Sequence, residues 1–208
     1  NGPYGIALDA VGNVYIADYY NHRVRKVSVT DGTISTVAGN GESSSTGDGG
    51  PGVDASLNVP IELAFDADGD LYISEIEGNR IRRLNMTDGT ISTFVSSSLN
   101  GPIGMAFDLG GNLFVANYGN HRVLKVSATD GTISTFAGTG SVGSSGDGGP
   151  ASDARLNHPI HLAFDGNGNL YISDINNWRI RKVSASDGTI STIAGTGSSS
   201  CGSGGIFA

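Results

Sequence analysis

The chain has 208 residues, with twenty acidic and twelve basic side chains and a formal net charge of -8. That length allows one sizeable domain or two small ones, and no apolar run is long enough to cross a bilayer as a helix. The basic residues are dealt out evenly along an acidic chain, which argues against nucleic acid as a partner, and the lack of a long apolar run argues against membrane insertion.

The first residues, NGPYGIALD, already belong to a patterned segment, and that start reads as a mature or trimmed product. IALD is a short apolar strand, followed by a turn at Gly12. VYIAD then alternates with period 2, as a pleated strand does. RVRKVS separates Val24 and Val27 from its Arg and Lys residues, and Asp31-Gly32 predicts a type I′ hairpin leading into TISTVAG. A long Gly/Ser-rich stretch containing Gly47-Asp48-Gly49-Gly50-Pro51 follows. The same four-strand reading restarts at Pro60, Pro102 and Pro159, so the spacings are 57, 42 and 57 residues. Residues 1–99 align without a gap on 100–198, which makes the chain two copies of a two-unit module. No segment carries helical periodicity.

Four-stranded antiparallel units that cannot bury both faces alone stack around an axis, so the predicted fold is an all-β propeller of four blades. The blades span about 3–39, 60–95, 102–138 and 159–195. The recurring pattern Asp-x-x-Gly-Asn-Leu-Tyr-Ile-Ala/Ser-Asp-x-x-Asn-x-Arg-Ile-x-Lys-Val resembles the NHL repeat, carried by Asp9–Val27, Asp66–Leu84, Asp108–Val126 and Asp165–Val183. The second unit departs most, with Asp70 for Asn and Glu75 for Asp. The resemblance implies six blades as the usual number. Four blades leave three arrangements open: a closed ring, a piece of a longer propeller, or copies joined through blade faces and ends.

Several residues are candidates for chemistry. Asp48 and Asp54, with Asp147 and Asp153 in the second Gly-Asp-Gly-Gly-Pro loop, could offer carboxylates to Ca²⁺. The spacing is not that of an EF-hand, and the resemblance implies a spacer between blades. Asp18, Glu75, Asn117 and Asp174 end the second strands, where an axial cation could gather them in a lyase or lactonase type of propeller. The family pattern instead pairs the acid with an arginine five residues on, implying structural ion pairs among Asp18, Arg23, Glu75, Arg80, Arg122, Asp174 and Arg179. His22, His121, His158 and His161 form no recognisable zinc trio, and no serine sits in a nucleophile elbow. Asn85-Met86-Thr87 is a glycosylation sequon. Cys201, the one cysteine, sits in a Ser/Gly-rich tail where neither a disulfide nor a thiolate cluster can form within the chain.

With no symmetry-breaking catalytic group evident, the sequence reads as a non-enzymatic interaction scaffold. Its setting is extracellular or on a cell surface, its partners are proteins or further copies, and it needs no cofactor. The alternatives are a propeller enzyme with a metal in its central channel, and calcium in the paired loops.

Overall fold

The computed structural model describes residues 1–199. They form four antiparallel four-stranded sheets, each a simple meander, arranged as a four-blade β-propeller. The first blade comprises β1 (Pro3–Leu8), β2 (Val14–Asp18), β3 (Arg23–Val27) and β4 (Ile34–Ala38). The second comprises β5 (Pro60–Phe65), β6 (Leu71–Glu75), β7 (Arg80–Leu84) and β8 (Ile91–Val95). The third holds β9 (Pro102–Phe107), β10 (Leu113–Asn117), β11 (Arg122–Val126) and β12 (Ile133–Ala137). The fourth holds β13 (Pro159–Phe164), β14 (Leu170–Asp174), β15 (Arg179–Val183) and β16 (Ile190–Ala194). Helical structure among the described residues is confined to single 3₁₀ turns.

The repeat signature explains itself locally. Asp9 Oδ1 accepts from the amides of Val11 and Asn13, closing the first turn, and Asn13 Oδ1 in turn accepts from Val29 N at 2.9 Å. The Asp and Asn therefore tie the β1–β2 turn to the β3–β4 hairpin. The second blade makes the same tie with Asp70, which accepts from Met86 N and takes Arg83 as an ion-pair partner.

The Asp-Gly hairpins differ from a type I′ turn. Only the glycine of each pair is left-handed, with φ of +70° at Gly32, and Ser28 and Thr33 close a four-residue loop. The reason is side-chain capping: Asp31 Oδ1 accepts from Thr33 N and Oγ1, which holds Asp31 outside positive φ.

The core lies between blades. Tyr15, Ala17, Val24 and Ala38 of the first blade meet Leu63, Leu71, Ile73, Leu84 and Ile91 of the second. Edge-to-face aromatic pairs mark each junction: Tyr15–Phe65 at 5.0 Å, Tyr72–Phe107 at 4.9 Å and Phe114–Phe164 at 4.9 Å between centroids. Innermost strands pack in succession, β1 on β5, β5 on β9 and β9 on β13, with no comparable packing of β13 on β1. The outward face of the first blade, with Tyr4, Ile6 and Leu8, is exposed, as are Trp178 and Ile193 of the fourth. Of the three arrangements left open by the sequence, the described residues thus show an unclosed one.

Candidate functional site

The long linkers are the first candidates, and they are built into the blades. In the second blade Gly49 N donates to Ile91 O at 2.8 Å and Ile91 N donates to Gly50 O at 3.0 Å, so the Gly-Asp-Gly-Gly-Pro loop covers the outer edge of β8. The loop at 146–150 does the same for β16 through Gly148 N to Ile190 O at 2.8 Å. Asp48 then accepts from the fully buried Arg82 at 2.7 Å, and Asp147 from the equally buried Arg181 at 2.6 Å. Burial opposes ionisation of Asp48, but hydrogen bonds from Thr93 and the Arg82 charge hold its carboxyl below the ordinary range. Asp54 and Asp153 end the short 3₁₀ turns that follow.

The acids closing the second strands share another task. Asp174 Oδ1 accepts Asn157 N at 2.6 Å and Asn117 Oδ1 accepts Asn100 N at 2.7 Å, each fixing the linker that arrives at its blade. Asp18 accepts from Asn21 at 2.9 Å. Glu75 accepts from Ser45 Oγ at 2.6 Å and lies 3.3 Å from Arg82, against 3.8 Å from Arg80. Asp174 lies 3.6 Å from Arg181. The buried partner is therefore the arginine seven residues on, not five. Arg23, Arg122 and Arg179 are half-buried and donate instead to the carbonyls of Asn40, Thr139 and Ser144. Burial raises the pKa of Glu75 and of Asp174.

Each of these carboxylates is engaged within its own blade and incoming linker. Among the described residues no three His, Cys, Asp or Glu side chains gather as a metal would need. The donor set thus does not fit an axial cation. Asn85 Oδ1 caps the amides of Thr87 and Asp88 in an exposed hairpin. Cys201 lies outside the described residues.

The histidines divide into two groups. His22 and His121 sit in left-handed positions and accept the amides of Val59 and His158 in the next blade, at 3.3 and 3.2 Å. His158 packs on His121 and Tyr118, and its pKa is lowered by burial and by the His121 charge.

His161 is different. It and Glu62 occupy the third position of β13 and β5, where β1 and β9 carry Gly5 and Gly104. A Cβ on Gly104 would stand 2.1 Å from Ile160 O and 3.0 Å from the His161 Cα, so only glycine lets the innermost strands approach there. Glu62 and His161, two blades apart, consequently meet with His161 Nδ1 3.4 Å from Glu62 Oε2. The His161 side chain is 55% exposed and that of Glu62 15%. The hydrogen bond to Glu62 outweighs burial and raises the His161 pKa above its ordinary 6.5. A carboxylate beside a part-exposed imidazole is an arrangement that can orient the ring and hold its proton. The sequence held the signal, since both residues stand where the alternate units have glycine.

The turns leaving the second strands carry Tyr19, Tyr20, Tyr118 and Trp178, all half-exposed or exposed. At the opposite end a cleft of about 670 Å³ opens between the third and fourth blades, lined by Phe107, Phe114, Lys125, Phe136, Phe164 and Ala185 among others. At the first junction Met86 occupies the place of Ala185 and packs into the core.

Comparison with known proteins follows this architecture. The family model described as Teneurin NHL domain matches residues 95–184, and that described as NHL repeat matches residues 1–27. The Arabidopsis thaliana protein SUPPRESSOR OF QUENCHING 1, chloroplastic, is 32% identical over 97 residues, covering 45% of this chain and 9% of that protein. Among solved structures, a streptogramin B lyase superposes with a TM-score of 0.67 at 18% identity, covering 92% of this chain and 54% of the lyase. Virginiamycin B lyase from Staphylococcus aureus gives 0.65 at 18%, covering 92% and 55%. A putative gluconolactonase gives 0.67 at 18%, covering 93% and 63%. The chain therefore spans a small part of the curated relative and less than two thirds of each of these structures, and at such identities the likeness to them is one of fold.

Proposed function

The chain belongs to the NHL-repeat family of β-propellers, and from that premise we propose that it is a non-enzymatic scaffold whose aromatic mouth receives protein partners. The observation that carries this reading is the exposure of Tyr20 and Trp178 on turns at one end of the blades, beside half-buried Tyr19 and Tyr118. Tyrosine and tryptophan are the side chains enriched where protein interfaces concentrate their energy. The acids of the repeat signature are meanwhile engaged within the blades, Asp9 and Asp165 in their own turns and Asp174 with the incoming linker. A chain with a net charge of -8 suits protein rather than nucleic acid as a partner. No helix among the described residues is long and apolar enough to cross a membrane. The match to a teneurin NHL model supports an extracellular or cell-surface setting.

The test is affinity capture with the native chain beside a Tyr20→Ser/Trp178→Ser variant of equal thermal stability. The reading expects proteins that the native chain retains and the variant loses. Identical sets from both would overturn it.

A second reading rests on the Glu62–His161 pair: a propeller enzyme of lyase or lactonase type. The fold shared with two lyases and a putative gluconolactonase supports it. There His161 would move a proton and Glu62 would orient it. Turnover of a panel of lactones and cyclic esters, abolished by His161→Ala with the fold intact, would favour this reading over the scaffold.

A further inference from the structure

The cleft between the third and fourth blades lies where the repeat is broken in two places. The second strand carries Tyr15, Tyr72 and Tyr171 in the first, second and fourth blades, but Phe114 in the third. The residue after the turn aspartate is Ala10, Ala67 or Gly166 elsewhere and Leu109 here, 98% exposed on the rim of the cleft.

The sister blades show what the absent phenol hydroxyl would touch. Tyr15 Oη donates to Asp9 Oδ2 at 3.3 Å and Tyr171 Oη to Asp165 Oδ2 at 3.1 Å, each beside an asparagine amide on the same oxygen. Lys26 and Lys182 stand over those two rings, 5.5 and 5.8 Å from the centroids. The Phe114 ring is held in the same way. It sits edge-to-face between Phe136 and Phe164, as Tyr72 does between Phe94 and Phe107, and Lys125 stands 5.7 Å from its centroid. Here, however, Asp108 Oδ2 accepts from Asn112 Nδ2 alone. Among the described residues the Lys125 ammonium has the Phe114 ring as its partner and no ion pair. Both charged groups line the cleft.

The second junction shows the same place filled. Alanine replaces the methionine there too, at Ala128, yet that cleft is about 330 Å³ against 670 Å³. Tyr72 brings its own hydroxyl, whose pKa burial and Asp66 push up to about 12, and Arg83 is paired with Asp70. The larger cleft has the size and the aromatic lining, with few polar groups, of a small-molecule site.

We infer that this cleft binds a small free phenol. Its hydroxyl donates to Asp108 and accepts from Lys125, restoring the contacts of the absent tyrosine, and its ring takes the space beside Ala185 that a methionine fills at the first junction. A plain hydrocarbon leaves the two charged groups without that hydroxyl, and a carboxylate meets repulsion from Asp108.

The test titrates the full chain with p-cresol, toluene and p-toluate, and follows the amide signals of Asp108, Phe114 and Lys125 by NMR. p-Cresol is expected to bind roughly tenfold or more tightly than toluene, the scale of a hydrogen bond to a charged group. Phe114→Tyr installs the residue of the other three blades and supplies the hydroxyl internally. It should bring p-cresol down to the affinity of toluene and leave toluene unchanged. Ala185→Met should weaken both ligands, because it occupies the space of the ring. No binding of p-cresol at these amides, equal affinity for p-cresol and toluene in the native chain, or tighter binding of p-toluate would overturn the inference. So would an undiminished preference for p-cresol in a folded Phe114→Tyr variant. Tighter binding of N-acetyltyrosinamide than of p-cresol would overturn it as well, because the occupant would then be a side chain of a partner protein.

Discussion

Arg82 Nη2 donates to Asp48 Oδ1 at 2.7 Å, joining a linker to a strand thirty-four residues away. The guanidinium is wholly buried while the Asp48 side chain is 48% exposed, so the two ends of the bond have unequal worth. Arg82→Leu leaves Glu75 buried without its cation and should cost about 3–5 kcal/mol. Asp48→Asn should cost about 1 kcal/mol, as for a pair open to solvent. The third blade indicates the repair: importing its pair as Glu75→Asn/Arg82→Leu should recover part of the loss. Denaturant titration of the three variants checks all of this.

His161 should titrate above 6.5 in an NMR pH series, because the hydrogen bond to Glu62 favours its charged form. Glu62→Gln should bring it down. The sign for stability follows from linkage. The Glu62–His161 contribution is full below pH 6.5, declines as pH rises through the raised value, and disappears from the Glu62→Gln profile.

Acid acts on the first turns. Asp165 is held at about 2, chiefly by the side chain of Asn169 and then by the amides of Asn169 and Asn167. A depressed carboxyl adds stability above its ordinary 3.8 that is lost as pH falls toward 2. Asp165→Asn should therefore be destabilising at pH 7, and the difference from the native chain should shrink between pH 4 and 2. Glu75 and Asp174 act in the opposite sense, since burial makes the folded state hold their protons more tightly.

The 670 Å³ cleft between the third and fourth blades exists where Ala185 replaces the methionine of the first junction. Met86→Ala should open a matching cleft and cost about 2 kcal/mol. Ala185→Met should narrow the existing one at little cost, since the first junction already accommodates the side chain. Thermal melts, and the partitioning of a small aromatic probe, read both changes.

The strands and their grouping into four blades were legible in the sequence because they rest on local chemistry. Alternation, the Asp-x-x-Gly-Asn turn and the fourfold recurrence each act within a few residues. Two things were not. One is the buried acid–arginine register, because Arg80 and Arg82 stand two residues apart on the same side of β7, so strand alternation does not tell which of them reaches the buried Glu75. The Gly5 and Gly104 positions bring Glu62 to His161 across ninety-nine residues, a contact set by how closely blades approach rather than by any short motif. The hairpin turn was misread for a related reason, since Asp31 is spent capping Thr33 and not in adopting positive φ.

The order of the clip along the chain has a consequence for synthesis. Asp48 leaves the ribosome thirty-four residues before Arg82, and Asp147 the same distance before Arg181. At translation rates of about 5–20 residues per second, each acidic linker waits roughly 2–7 s for the strand it will fasten. Until then the blade behind it is made but its outgoing linker is untethered. A nascent chain of this kind becomes resistant to protease in two late steps, each timed to the appearance of an arginine.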